Sequence, residues 1–151
     1  MVRRTQELAQ ILQTQSFEYV LCHADIHSAN LLITPDQKMF VVDWDETILA
    51  PLERDLMFMI ESPIAIYPPV QPWQETLFFQ GYGKTEINWT ALAYYRYEWA
   101  VQDMGDFVAR VFLMDDVGEI TQRHALKLFM GLFRPGDEID TAIQSEGKLQ
   151  N

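Results

Sequence analysis

The stretch Cys22–Asn30 reads CHADIHSAN and crowds two histidines, an aspartate, an asparagine and the sole cysteine between two apolar runs, YVLC and LLI. Polar side chains in such a place need hydrogen bonds or a function, because burial without partners is costly. Three chemistries are open to them. Cys22, His23, Asp25 and His27 could ligate zinc, Asp25 could act as a base in a catalytic loop, or the segment could be a polar turn. The zinc pattern fits poorly, since H-x-x-x-H needs a helix to bring both rings to one face and no Cys-x-x-Cys completes the set. The catalytic pattern gains from Asp43, which closes the apolar run FVV. A carboxylate can orient a hydroxyl and take its proton, while a carboxamide and a second carboxylate offer hard oxygen donors to magnesium.

These residues need elements to hold them. FEYVLCH reads as a buried strand ahead of the motif. LLIT and MFVVD are short β-rich runs separated by PDQK, whose Pro and Asp form turns, so residues 31–43 are predicted to make a hairpin. An antiparallel hairpin brings its outer ends together, which predicts that Asn30 and Asp43 are close in space. A helix is expected over residues 5–15 with Thr5 as N-cap, and another in RDLMFMIES with Asp55 in its first turn. WDETILAPLE reads as irregular, and the prolines of SPIAIYPPVQP end one helix and lead to an amphipathic one in WQETLFFQGY, closed by Gly81 and Gly83. A long helix follows over 88–113, capped by Asn88 and interrupted at Gly105, then one over 119–132. Residues 134–151 are polar with little periodicity and read as a disordered tail. The class is α+β, predominantly helical.

The order is H-x-D-x-x-x-x-N, a hairpin, then an aspartate, the sequence of parts that protein-kinase-type phosphoryl transfer uses. In that scheme Asp25 is the base beside His23, and Asn30 and Asp43 hold the metal. With their flanks, LCHADIHSANLLI and VVDWDETILAPLERDLMFMI resemble segments of the aminoglycoside phosphotransferase and choline kinase family, in wording like its spectinomycin phosphotransferase branch. FFQGYG and ALAYYRYEWAVQDM resemble that branch's helical subdomain, so the likeness runs over most of residues 5–130. Ala24 stands where the family often has glycine, and Ser28-Ala29 where it has Pro-Gly. The resemblance implies the C-terminal lobe of a kinase-like fold over residues 1–133, with the small hairpin carrying the catalytic and metal residues. It also implies magnesium with ATP or GTP as cofactor, and Leu32 and Val42 as the floor under the adenine; alone, both read as strand core. Asp55 resembles the family's brace for the catalytic loop and reads equally as an N-cap, while His27 reaches either Asp25 or the loop backbone.

A glycine-rich loop and a strand lysine precede the catalytic loop in such enzymes, and only twenty-two residues precede His23. The expectation is therefore a truncated or split enzyme, with a separate N-terminal lobe or self-association through the exposed lobe interface. The alternative is a non-catalytic binding module derived from such a kinase. GYGKT at 81–85 echoes a P-loop, but Phe78 stands where its first glycine belongs, and a helix pattern precedes it. The net charge of −11, from 22 acidic against 11 basic residues, disfavours nucleic acid or an anionic membrane and suits a cationic acceptor such as an aminoglycoside or aminocyclitol. Asp45, Glu46 and Glu98 are the candidate carboxylates for it, each reading equally as a solvated surface, and Tyr94 or Trp99 could stack on it. One cysteine, no apolar leader and no span of apolar residues place the chain in the cytoplasm by expectation.

Overall fold

The computed structural model describes residues 1–61, 70–114 and 117–149. Its elements are α1 (Val2–Leu12), β1 (Val20–Cys22), a 3₁₀ turn (Ser28–Asn30), β2 (Leu31–Ile33), β3 (Met39–Val41), β4 (Ile48–Ala50), α2 (Glu53–Leu56), α3 (Pro72–Tyr82), α4 (Trp89–Phe112), α5 (Glu119–Gly131), α6 (Glu138–Ser145) and a closing 3₁₀ turn (Glu146–Lys148). Helices dominate, and α4 is the central one, packed against α1, α2, α5 and α6.

The predicted hairpin forms, with Leu31 opposite Val41 and Ile33 opposite Met39. Lys38 and Gln37 close its turn on Thr34, and Gln37 takes a left-handed backbone. A second ribbon was not foreseen: β4, in a stretch that reads as irregular, pairs antiparallel with β1 through Val20↔Ala50 and Cys22↔Ile48. Three residues are too few for a periodic signal, and the partner strand is distant in sequence. Nor is β1 a buried strand throughout, since only one side of this ribbon is covered and Leu21 is 66% exposed.

Helix boundaries move for local reasons. α1 begins at Val2, and Thr5 lies inside it with its hydroxyl turned back to the Met1 carbonyl at 3.4 Å. α2 is only four residues long; beyond it the chain tightens into successive turns up to Ile60. Leu56, Met57, Phe58 and Ile60 are all buried in one cluster with Leu92, an arrangement that a straight helix with a single buried stripe does not provide. The proline-rich segment after it falls largely outside the described residues. α3 starts with a Gln71–Gln74 capping box and Pro72, and ends at Gly83, whose φ of 104° favours glycine. Gly81 lies within the helix. α3 is not amphipathic: Phe78 and Phe79 touch the core while Trp73 and Leu77 face out.

Asn88 caps α4 by accepting from the Ala91 amide at 3.0 Å, as expected, but the helix continues unbroken through Gly105 because its packing on four other helices outweighs the roughly 1 kcal/mol glycine penalty. α5 matches its predicted span. The disordered tail is the clearest correction. Residues 138–145 form α6, which buries Thr141, Ala142 and Ser145. Ala142 joins Leu8, Ala93 and Tyr97 in a second core cluster, and Arg96 of α4 donates to Ser145 at 2.7 Å and to the Ile60 carbonyl. The buried face of α6 is built from Thr141, Ala142 and Ser145, small and partly polar residues over little more than two turns, so the segment reads as polar in the sequence.

Candidate active site

The loop between β1 and the first 3₁₀ turn is held from three sides. From α2, the Asp55 carboxylate accepts the His23 amide at 2.9 Å on one oxygen and the Ala24 amide at 2.8 Å on the other. α2 is capped by Leu52 without a side-chain bond, so Asp55 braces the loop and is no N-cap. From the hairpin, His23 Nε2 meets the Val42 carbonyl at 2.8 Å, while Nδ1 accepts the Asp25 amide at 3.3 Å. A carbonyl can only accept, so the ring carries its proton on Nε2. Trp44 then packs on this imidazole at 4.7 Å and donates its indole N–H to the Val41 carbonyl. Sequence reasoning passed over Trp44; its signal is the aromatic directly after the strand-ending aspartate.

The third support is internal. Asn30, 7% exposed, donates through Nδ2 to the Asp25 carbonyl at 2.8 Å and to Asp25 Oδ2 at 3.0 Å. Both partners are acceptors, which fixes the amide orientation and leaves Oδ1 outside these two bonds. Asp25 Oδ1 is sealed from water without a hydrogen bond, with His27 Nε2 at 3.4 Å. His27 meets both expectations, since its Nδ1 also accepts the Ala29 amide at 3.2 Å.

The Val42 amide donates to the Asn30 carbonyl at 3.0 Å, continuing the β2–β3 ladder by one pair and setting Asp43 at the rim beside Asn30. Asp43 is exposed and left-handed, with φ 64°, and Ala24 has φ 69° at the other side of the loop. A left-handed alanine is unfavourable by about 1 kcal/mol, which explains why glycine suits this position. His23, Asp25, Asn30 and Asp43 thus form one constellation. Leu32 and Val42 share a hairpin face with Phe40, by the register and the alternation of a strand.

The other candidates are more scattered. Asp45 and Glu46 follow Asp43 on an exposed turn and make no hydrogen bond or ion pair among the described residues. Glu98, on α4, accepts the Tyr94 hydroxyl at 2.6 Å. Trp99 packs edge-on against Phe58, with the Arg54 guanidinium over its ring. Cys22 is no ligand: burial first, and the Asp55 charge second, push its thiol up to about 11. Among the described residues no three His, Cys, Asp or Glu side chains converge as a metal cage. The oxygen set of Asn30 and Asp43 does fit magnesium, which binds through one or two protein oxygens plus phosphates and water.

A strand, a braced polar loop, a hairpin and an aspartate at its end, backed by a helical subdomain, define the catalytic lobe of a kinase-like phosphotransferase. Sequence comparison agrees, as the model of the phosphotransferase enzyme family matches residues 2–95. The chain belongs to that family, which is one of kinase-like enzymes. Among solved structures it is similar to spectinomycin phosphotransferase in complex with ADP and spectinomycin, at 29% identity and a TM-score of 0.74, over 96% of this chain and 44% of that one. The AMP-bound form of spectinomycin phosphotransferase gives 30% identity and a TM-score of 0.76, over 96% of this chain and 43% of that one. The chain therefore spans less than half the length of these relatives. No helix among the described residues is long and apolar enough to cross a membrane.

Proposed function

We propose that this chain supplies the catalytic half of an enzyme that moves the γ-phosphoryl group of ATP or GTP to a hydroxyl of a small cationic acceptor, an aminoglycoside or aminocyclitol. Asp25 is the base that orients the hydroxyl and takes its proton. His23 positions Asp25 from beneath, and Asn30 and Asp43 would hold magnesium, which when bound neutralises charge on the phosphates. Leu32 and Val42 floor the nucleotide. Asp45, Glu46 and Glu98 add negative charge that attracts the acceptor. The observation that carries this reading is the Asn30 carboxamide, whose nitrogen is committed twice to Asp25 in a residue whose backbone carbonyl accepts the amide of Val42, the neighbour of Asp43. That geometry ties the proton acceptor and the metal ligands into one unit.

The phosphate clamp of a glycine-rich loop and strand lysine is not among these 151 residues, so transfer requires a lobe that carries it, covalently attached or separate. The second reading is a binding module that holds ligands and transfers nothing. Calorimetric titration with Mg-ADP addresses the first step: binding that needs magnesium and disappears in Asp43→Asn is expected, and magnesium-independent binding, or none, would remove the metal-site reading. In the complemented protein, Asp25→Asn should lower transfer to spectinomycin by about 10²- to 10⁴-fold with unchanged folding. A folded, fully active variant would dismiss Asp25 as the base. Replacing Asp45 and Glu46 by their amides should weaken acceptor binding several-fold, and unchanged affinity would strike them from the site.

A further inference from the structure

Three consecutive charged residues leave α2 in different directions. Glu53 and Arg54 are each only 4% exposed, and Asp55 reaches the loop amides of His23 and Ala24. Glu53 Oε1 accepts the Asn88 amide at 2.8 Å, which ties the start of α2 to the cap of α4. Arg54 meets the side of α4 instead. Its guanidinium carbon stands 5.2 Å from the centre of the Trp99 ring and 5.9 Å from that of Tyr95, and Nη1 donates to Met57 Sδ at 3.7 Å. A helix of four residues has too few internal bonds to hold its own place, so these anchors decide where Asp55 stands.

Arg54 is an unusual anchor because its charge has no counter-charge in contact. Its Nε has no hydrogen-bond partner, and among the described residues Arg54 forms no ion pair. A buried cation in that condition is costly unless something else receives it, and here two aromatic rings do. Attraction between a cation and a ring strengthens when both are dry. A guanidinium is planar and weakly hydrated, so it can lie against rings where an ammonium would stay solvated.

The same clamp reaches the middle of the loop by a second route. Trp99 meets Phe58 edge-on at 5.1 Å, Phe58 meets the His27 ring at 6.4 Å, and His27 Nε2 lies 3.4 Å from Asp25 Oδ1. Arg54 therefore sits where both supports converge, next to Asp55 in the chain and against Trp99 in space.

We propose that Arg54 is a positioning residue of the catalytic loop. Its stack on Tyr95 and Trp99 sets where Asp55 holds the His23 and Ala24 amides, and thereby where Asp25 and Asn30 stand. The inference rests on the reading of this loop as catalytic and adds to it a residue that acts through Asp55.

The test is amide hydrogen exchange, followed by NMR, in the unaltered chain, Arg54→Met and Arg54→Lys. Methionine keeps an apolar stem and removes the charge, whereas lysine keeps the charge and removes the planar stack. In both variants the His23 and Ala24 amides should exchange at least about tenfold faster, while the Ala93 and Ala100 amides inside α4 keep their rates. Mg-ADP affinity should fall at least about fivefold in both, and Arg54→Met should add less than about a twofold loss in an Asp55→Asn background, because the two residues act as one unit. Unchanged exchange at His23 and Ala24, equal acceleration throughout α4, or a full Arg54→Met effect on top of Asp55→Asn would each overturn the proposal. Native behaviour of Arg54→Lys would overturn the stacking role, and failure of both variants to fold would reduce Arg54 to a core residue. An unaltered chain that binds no Mg-ADP would instead overturn the reading of the Asp25 site, with exchange at His23 and Ala24 still deciding what Arg54 holds.

Discussion

At the scale of single residues, the site depends on a few backbone contacts that a motif does not announce. Asp55 accepts two loop amides, and hydrogen bonds to a charged group contribute about 1.5–3 kcal/mol each. Asp55→Ala is therefore expected to lower unfolding free energy by about 3 kcal/mol, discounted somewhat for its partial exposure, and to weaken Mg-ADP binding; equilibrium urea unfolding measures the first. Ala24→Gly should behave in the opposite sense. It relieves the left-handed backbone at φ 69°, so stability should stay level or rise by up to about 1 kcal/mol, whereas Ala24→Val should destabilise clearly. The spacing of His23, Asp25, Asn30 and Asp43 was legible because hairpin closure follows from turn chemistry and alternation. The conformation at Ala24 was not, and Asp55 read equally as brace or N-cap, because each depends on chain segments that meet only after folding.

Among the elements, the hairpin, α4 and α5 were readable, and β4, the extent of α2 and α6 were not. The readable ones carry turn residues, an Asn cap or a long apolar period. The others are short, and α6 in particular buries Thr141, Ala142 and Ser145, whose small size allows close approach to α4. α6 also brings a titrating group into the interface. The folded value of Glu138 is raised to about 8 and that of Asp103 to about 6, chiefly by burial. A raised carboxyl contributes stability that is fully present below its unfolded value and lost as pH climbs through the folded one. Relative to Glu138→Gln, the unaltered chain should therefore lose melting temperature from about pH 5 to pH 9, and thermal unfolding across that range measures it. Parallel curves would show that Glu138 does not keep its proton in the fold.

Across the whole molecule, both ribbons present apolar side chains to solvent. Leu21, Ile33, Met39 and Leu49 are 64–69% exposed, and each ribbon has only two strands, fewer than a sheet needs for independent stability. The chain is expected to self-associate, with apparent mass rising with concentration in sedimentation equilibrium, and Ile33→Lys combined with Leu49→Lys should suppress this. A clean monomer at high concentration would contradict the expectation. Elsewhere, α1 meets the closing 3₁₀ turn. Arg4 of α1 bonds Glu146 at 2.9 Å, Tyr97 donates to the same carboxylate, and Met1 and Leu149 pack on one cluster. Residues 1–4 and 146–149 are thus neighbours in space. A short Gly-Ser bridge between them, with new termini cut at the exposed Asp36–Gln37 bend, would yield a circular permutant that keeps the catalytic loop and its brace on one uninterrupted helix-rich backbone.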